Sequence, residues 1–164
     1  MCTRKRRLPP KPKPSLALVS HRPAIVAWSL TLGTHPLKRS LNPAGIRPPF
    51  GRYSPGVAIP SESELVFCSG QLGLKAGDLL PPTVGGQAEV CFQNIAAILA
   101  EAGMTLADVV RINAYVTKRE HMKEYMEVRD RYVADPLPAS TLMIVSGFTR
   151  PEFLVEIEVV AAKG

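Results

Sequence analysis

The sequence predicts an α+β domain with the element order ββαβαββ, a mixed sheet carrying two helices on one face. Three patterns point there. Residues 108–117 alternate apolar and polar side chains at period two, two nearby segments repeat apolar residues at helical spacing, and residues 153–162 alternate again. Two helices cannot cover both faces of a sheet. The second face must be solvated or must pack on another subunit.

The elements follow in order. Residues 65–69 (LVFCS) are a short run of strand formers that stops at Gly70. The Gly- and Pro-rich stretch 71–86 is a connecting loop. Residues 87–102 read as a helix, because Cys91, Ile95, Ile98, Leu99 and Ala102 recur on one face. Gly103 stands where a left-handed residue ends a helix. In the strand 108–117, Val110, Ile112, Ala114 and Val116 share one face; Arg111, Asn113, Tyr115 and Thr117 share the other. A second helix spans 120–133, with Met122, Tyr125, Val128 and Tyr132 along its buried side. Glu127 and Arg131 are spaced as an i,i+4 pair, and Pro136 and Pro138 end the helix. Residues 141–145 and 153–162 are two further strands, and 146–151 reads as a hairpin connection between them.

Charge is divided along the chain. Residues 1–60 hold 11 of the 20 Lys and Arg and no Asp or Glu, so the net +6 belongs to the N-terminal part. Residues 61–164 carry 9 bases against 14 acids, which argues against phosphate binding by the folded domain. With 46% hydrophobic and 21% charged residues the chain is globular. No apolar run reaches the roughly 18 residues of a membrane span, since His21-Arg22-Pro23 interrupts the one candidate. Three cysteines without CxxC spacing argue against a disulfide scaffold or structural zinc, and fit the reducing cytoplasm. HExxH, the phosphate loop and GxGxxG are all absent, which leaves zinc hydrolases, nucleotide triphosphatases and dinucleotide dehydrogenases without support. No metal is expected.

Residues 1–14 (MCTRKRRLPPKPKP) cannot form a regular helix or strand, because closely spaced prolines remove backbone donors. Residues 24–32 are apolar, yet no small-x-small cleavage site follows them, as a secretory signal requires. Disorder, organellar targeting and a start placed too far upstream all remain open for this leader.

The last strand carries the most informative chemistry. Val155, Ile157, Val159 and Ala161 point one way; Leu154, Glu156, Glu158 and Val160 point the other. Two carboxylates thus share a face with aliphatic neighbours. On an exposed face they are solubilising charges. Packed against a subunit, desolvation and mutual repulsion would favour proton transfer.

Six segments occur in register: Gly51-Arg52-Tyr53-Ser54-Pro55-Gly56-Val57, Leu65-Val66-Phe67-Cys68-Ser69-Gly70-Gln71, Gln93-Asn94-Ile95 through Leu99-Ala100-Glu101-Ala102-Gly103, Asp108-Val109-Val110, Pro138-Ala139 and Val155-Glu156-Ile157-Glu158. Together they resemble the Rid (YjgF-type, L-PSP endoribonuclease) family of reactive-intermediate imine and enamine deaminases. The resemblance covers about residues 41–163, which leaves 1–40 as the leader and 41–164 as the domain. It implies a chorismate-mutase-like fold and a homotrimer whose sheets form a central barrel. Small-molecule sites would lie between subunits. It also implies hydrolysis of 2-imino acids to 2-keto acids and ammonia without a cofactor.

Carried over, Glu156 matches the glutamate that positions or activates water, Tyr53 matches a tyrosine near the substrate, and Cys68-Ser69-Gly70-Gln71 lines the cleft. One departure stands out. The family arginine that grips the substrate carboxylate follows Pro-Ala, and here Ser140 occupies its place. A charge-assisted hydrogen bond of roughly 1.5–3 kcal/mol is thereby missing. Arg52 beside Tyr53, or Arg150 in the 146–151 connection, is the candidate substitute cation. A helix asparagine common in the family is also replaced, by Met126. The resemblance therefore favours a Rid-like deaminase acting on imines other than the standard 2-imino acids. The alternatives are a non-catalytic metabolite-binding trimer and an RNA-acting protein.

Overall fold

The computed structural model describes residues 38–164. The expected leader, the apolar segment 24–32 included, falls almost wholly outside them. The order is β1 (Arg39–Leu41), β2 (Gly56–Ala58), β3 (Glu64–Leu72), α1 (Val84–Glu101), β4 (Val109–Val116), α2 (His121–Tyr132), β5 (Ala139–Ile144) and β6 (Val155–Lys163). A 3-10 turn at Leu106–Asp108 enters β4, closed by a capping box between Thr105 and Asp108. One more strand is present than the sequence order contained: β1 and β2 form a separate antiparallel pair.

The main sheet runs β3-β6-β4-β5, with β4 and β5 parallel and the other pairs antiparallel. It is mixed and carries both helices on one face, as the α+β reading expects. The hairpin expected between the last two strands does not form. β5 lies at the sheet edge beside β4, and β6 inserts between β3 and β4. The reason is the crossover: β4, α2 and β5 form one βαβ unit, which takes β5 away from β6.

The core lies between α1 and the sheet. Ala88, Cys91, Phe92, Ile95 and Leu99 on α1 are buried with Val155, Ile157, Val159 and Ala161 on β6 and Ile112, Ala114 and Val116 on β4. Full burial of each large aliphatic or aromatic side chain is worth about 1.5–3 kcal/mol. Ile98, expected on the buried face, is partly exposed, because α1 turns that position towards solvent. α2 packs mainly on α1, and Tyr132 stacks on Phe92 with centroids 4.8 Å apart. The Glu127–Arg131 side-chain pair does not form: Arg131 reaches Glu89 on α1, and Glu127 faces Lys123.

Two features fix how α1 enters. Thr83 accepts from Gly86 N at 3.1 Å, and Glu124 of α2 accepts from Gly85 N at 3.0 Å. Gln87, buried in the next turn, donates to Pro81 O and Glu152 O and accepts from Leu154 N. It ties the α1 entry to the segment leading into β6. Gly103 ends the helix at φ +63°, the left-handed conformation expected of it. Among the described residues no helix is long and apolar enough to cross a membrane.

Candidate functional site

The open face of the sheet gathers the polar side chains. On β6, Val155, Ile157, Val159 and Ala161 are buried while Glu156, Glu158 and Val160 are only half-buried, so both carboxylates stand on the helix-free face. Register places Tyr115 opposite Glu156, and Asn113 and Thr141 beside Glu158.

Glu156 is aimed by a defect in β3. Cys68 pairs with Val159 and Gln71 with Ile157, so Ser69 and Gly70 together face Glu158. This is a β-bulge, a device that redirects side chains in a ladder. A Cβ on Gly70 would overlap the Glu156 carboxylate, coming within 2.7 Å of its Cδ. Gly70 thus supplies the space that Glu156 fills. The bulge also separates the motif's side chains: Cys68 faces the core, 6% exposed, and only its backbone borders the open face. Burial pushes the Cys68 thiol above its ordinary pKa, as it does Cys91, which reaches about 12. Neither is a thiolate nucleophile at neutral pH.

Glu158 is held firmly. Its Oε1 accepts from Asn113 Nδ2 at 2.8 Å and from the Tyr115 hydroxyl at 3.0 Å. Arg111 orients that amide, its Nε donating to Asn113 Oδ1 at 2.9 Å and its Nη2 to Thr141 Oγ1 at 3.0 Å. The hydrogen bond to Glu158 holds the Tyr115 phenol above its ordinary pKa. Desolvation and the charges of both carboxylates add to this, and Arg111 opposes it. The face is electrically negative at its centre. A shallow groove of about 230 Å³ runs over it, bordered by Phe67, Ser69, Asn113 and Glu158. Sequence reasoning placed Asn113 and Tyr115 on this strand face but gave them no role. Their period-two spacing with Glu158's alternation was the available signal.

Tyr53 and Ser140 lie together elsewhere. Ser54 N donates to Pro138 O at 2.9 Å and Ser54 bridges Ala139, which brings the Tyr53 loop against the start of β5. Ser140 pairs with Ile112, on the helix-covered side, three residues from Met143, the partner of Tyr115. Two strand spacings and three residues of rise put Ser140 and Glu156 about 14 Å apart in one chain. The sequence-predicted residues therefore form two groups, Glu156 with Gly70 and Tyr53 with Ser140.

The two candidate cations join neither group through an open guanidinium. Arg52 Nη1 donates to Asp130 O at the end of α2. Arg150 pairs with Glu152 at 3.0 Å and lies over the Phe153 ring. Arg129, 4% exposed, lies beneath Gly51 and is bound to Asp130. Among the described residues no three His, Cys, Asp or Glu side chains gather as a metal-binding group.

A single α+β layer pair with a polar, uncovered sheet face keeps the sequence-predicted residues in two separate groups within one chain. The Endoribonuclease L-PSP family profile matches residues 45–163, and the chain belongs to that family. It is similar to the mitochondrial protein mmf2 of Schizosaccharomyces pombe, 32% identical over 101 residues, 60% of this chain and 80% of that protein. It is also similar to a 2-iminobutanoate/2-iminopropanoate deaminase of Dermatophagoides farinae, 25% identical over 67% of this chain and 84% of that one. The crystal structure of the Rid-family protein YyfB from Yersinia pestis matches with a TM-score of 0.68 at 27% identity, covering 77% of this chain and 99% of its own.

Proposed function

We propose that this chain is a hydrolytic deaminase of reactive imine or enamine intermediates, giving a carbonyl product and ammonia, on substrates other than standard 2-imino acids. The observation that carries the reading is Glu156, half-buried on the open face and directed into the space left by Gly70. A protonated imine carbon is already electrophilic, so the site needs a held water and a proton shuttle. Glu156 takes a proton from water as its oxygen bonds to the imine carbon and the C=N pair moves onto nitrogen. The proton then passes from Glu156 to nitrogen; the C–N bond breaks as Glu156 takes the hydroxyl proton and the oxygen pair closes the C=O bond, and ammonia leaves with that last proton as ammonium. Similarity to the mite deaminase supports this chemistry.

The separation of Glu156 from Tyr53 and Ser140 supports a site built between copies. We place them in a homotrimer packed through the β3 side of the open face, where Phe67 is 73% exposed and Leu65, two residues back on the same strand, is exposed with it. The cytoplasm is the proposed compartment. The test supplies wild type and Glu156→Ala with imines generated by an oxidase and follows carbonyl release. The variant should lose at least 100-fold in rate; equal rates would remove Glu156 from the mechanism. Ser140, with no guanidinium to grip a carboxylate, favours a second reading, a metabolite-binding trimer without turnover. Ligand-induced thermal stabilisation without product would support it.

A further inference from the structure

Resting on that reading, we infer that the substrate is a cationic iminium without a carboxylate, an amine-derived imine with an apolar substituent, selected by the two carboxylates of the open face. The face around Glu156 bears a second acid, Glu158, fixed in place by Asn113 and Tyr115. The one cation of this polar network, Arg111, sits four residues back along β4 from the partner of Glu156. That is about 13 Å of strand rise, so Arg111 stands nearer Glu158 than Glu156, and among the described residues no ion pair involves Glu156.

Cations that approach the Tyr53 and Ser140 group are committed elsewhere. Arg52 is on the Asp130 carbonyl, and Arg129 is buried against the Asp130 carboxylate. Ser140 offers only a hydroxyl. A carboxylate on the substrate would meet repulsion on one side, and on the other a Ser140 hydroxyl with the neighbouring Arg52 and Arg129 guanidinium groups drawn to Asp130. A protonated imine carrying no other charge meets attraction, and Met143, the exposed register partner of Tyr115 on the same face, offers its substituent apolar surface. The reaction balances as R2C=NH2+ plus water giving R2C=O and NH4+, with no redox partner.

The experiment compares two imines on the full chain: benzaldimine, released from benzylamine by a flavin amine oxidase, and 2-iminobutanoate, released from 2-aminobutanoate by an amino-acid oxidase. Wild type should favour benzaldimine by at least 10-fold in kcat/KM. Glu158→Gln should shrink that preference several-fold, and Ser140→Arg should shift it at least 10-fold towards 2-iminobutanoate. Equal or reversed preference in wild type overturns the inference. Calorimetry with benzylammonium and with 2-oxobutanoate separates it from the hydrolase reading. If benzylammonium alone binds while neither imine is hydrolysed, the deaminase reading falls and the cation selectivity stands. Tighter binding of 2-oxobutanoate, or no binding of either with no turnover, overturns the selectivity.

Discussion

Gly70 owes its place to the carboxylate beside it. A methyl at that position would displace Glu156, and displacement of a catalytic group by an ångström costs on the order of 100-fold in rate. Gly70→Ala should therefore lose at least that factor in carbonyl release while its thermal midpoint stays near wild type. A collapse of the midpoint in circular dichroism would show that the glycine serves the bulge instead. Gln87 is the opposite kind of residue. Its buried amide makes three hydrogen bonds to Pro81, Glu152 and Leu154. Gln87→Leu keeps the volume and leaves three backbone groups unpaired, at a cost of about 3 kcal/mol or more. Urea unfolding should show that loss.

The helices and most strands were legible because their apolar periods are set by local geometry. Cys91, Ile95 and Leu99 repeat at helical spacing and are fully buried, and Gly103 carries the positive φ its position foretells. The strand neighbours were not legible. Which strand lies beside β6 is decided by the crossover through α2, a tertiary event that leaves no trace in residues 146–151. Nor could five residues of β3 reveal a bulge, so the side chains of Cys68 and Gly70 read as one lining when the structure sends Cys68 inward. Glu156 and Glu158 were legible as sharing a face; the clamp on Glu158 required register with β4. Helix entry also uses a distant partner. α1 has no acid in its first turn, and Glu124 of α2 supplies the negative charge at Gly85. Glu124→Gln should cost about 1 kcal/mol in urea unfolding, from the weaker bond and the lost interaction with the helix dipole.

The buried thiols and phenols make the molecule as a whole sensitive to alkali. Burial raises Cys91 from 9.0 to about 12 and also raises Tyr125 and Cys68, while the Glu158 hydrogen bond raises Tyr115. Each of these groups is neutral when protonated, and the fold favours that form. Their contribution is fully present below the ordinary pKa, and is lost as pH climbs from there towards the raised value. Lys38 runs the other way. It is buried with Nζ donating to Val109 O at 2.8 Å, and desolvation lowers its pKa below 10.5. The unfolded chain binds more protons than the fold between those two values, so Lys38 adds stability as pH rises through them. Four raised groups against one lowered group give a net loss. The urea midpoint should hold from pH 7 to 8.5 and fall steadily from about pH 9 to 11. Cys91→Ala should flatten that fall, since it removes the thiol that burial raises to about 12, and Lys38→Met should steepen it. A midpoint that rises above pH 9 would mean that Lys38 outweighs the buried acids, and that the Cys91 thiol is far less raised than its burial requires.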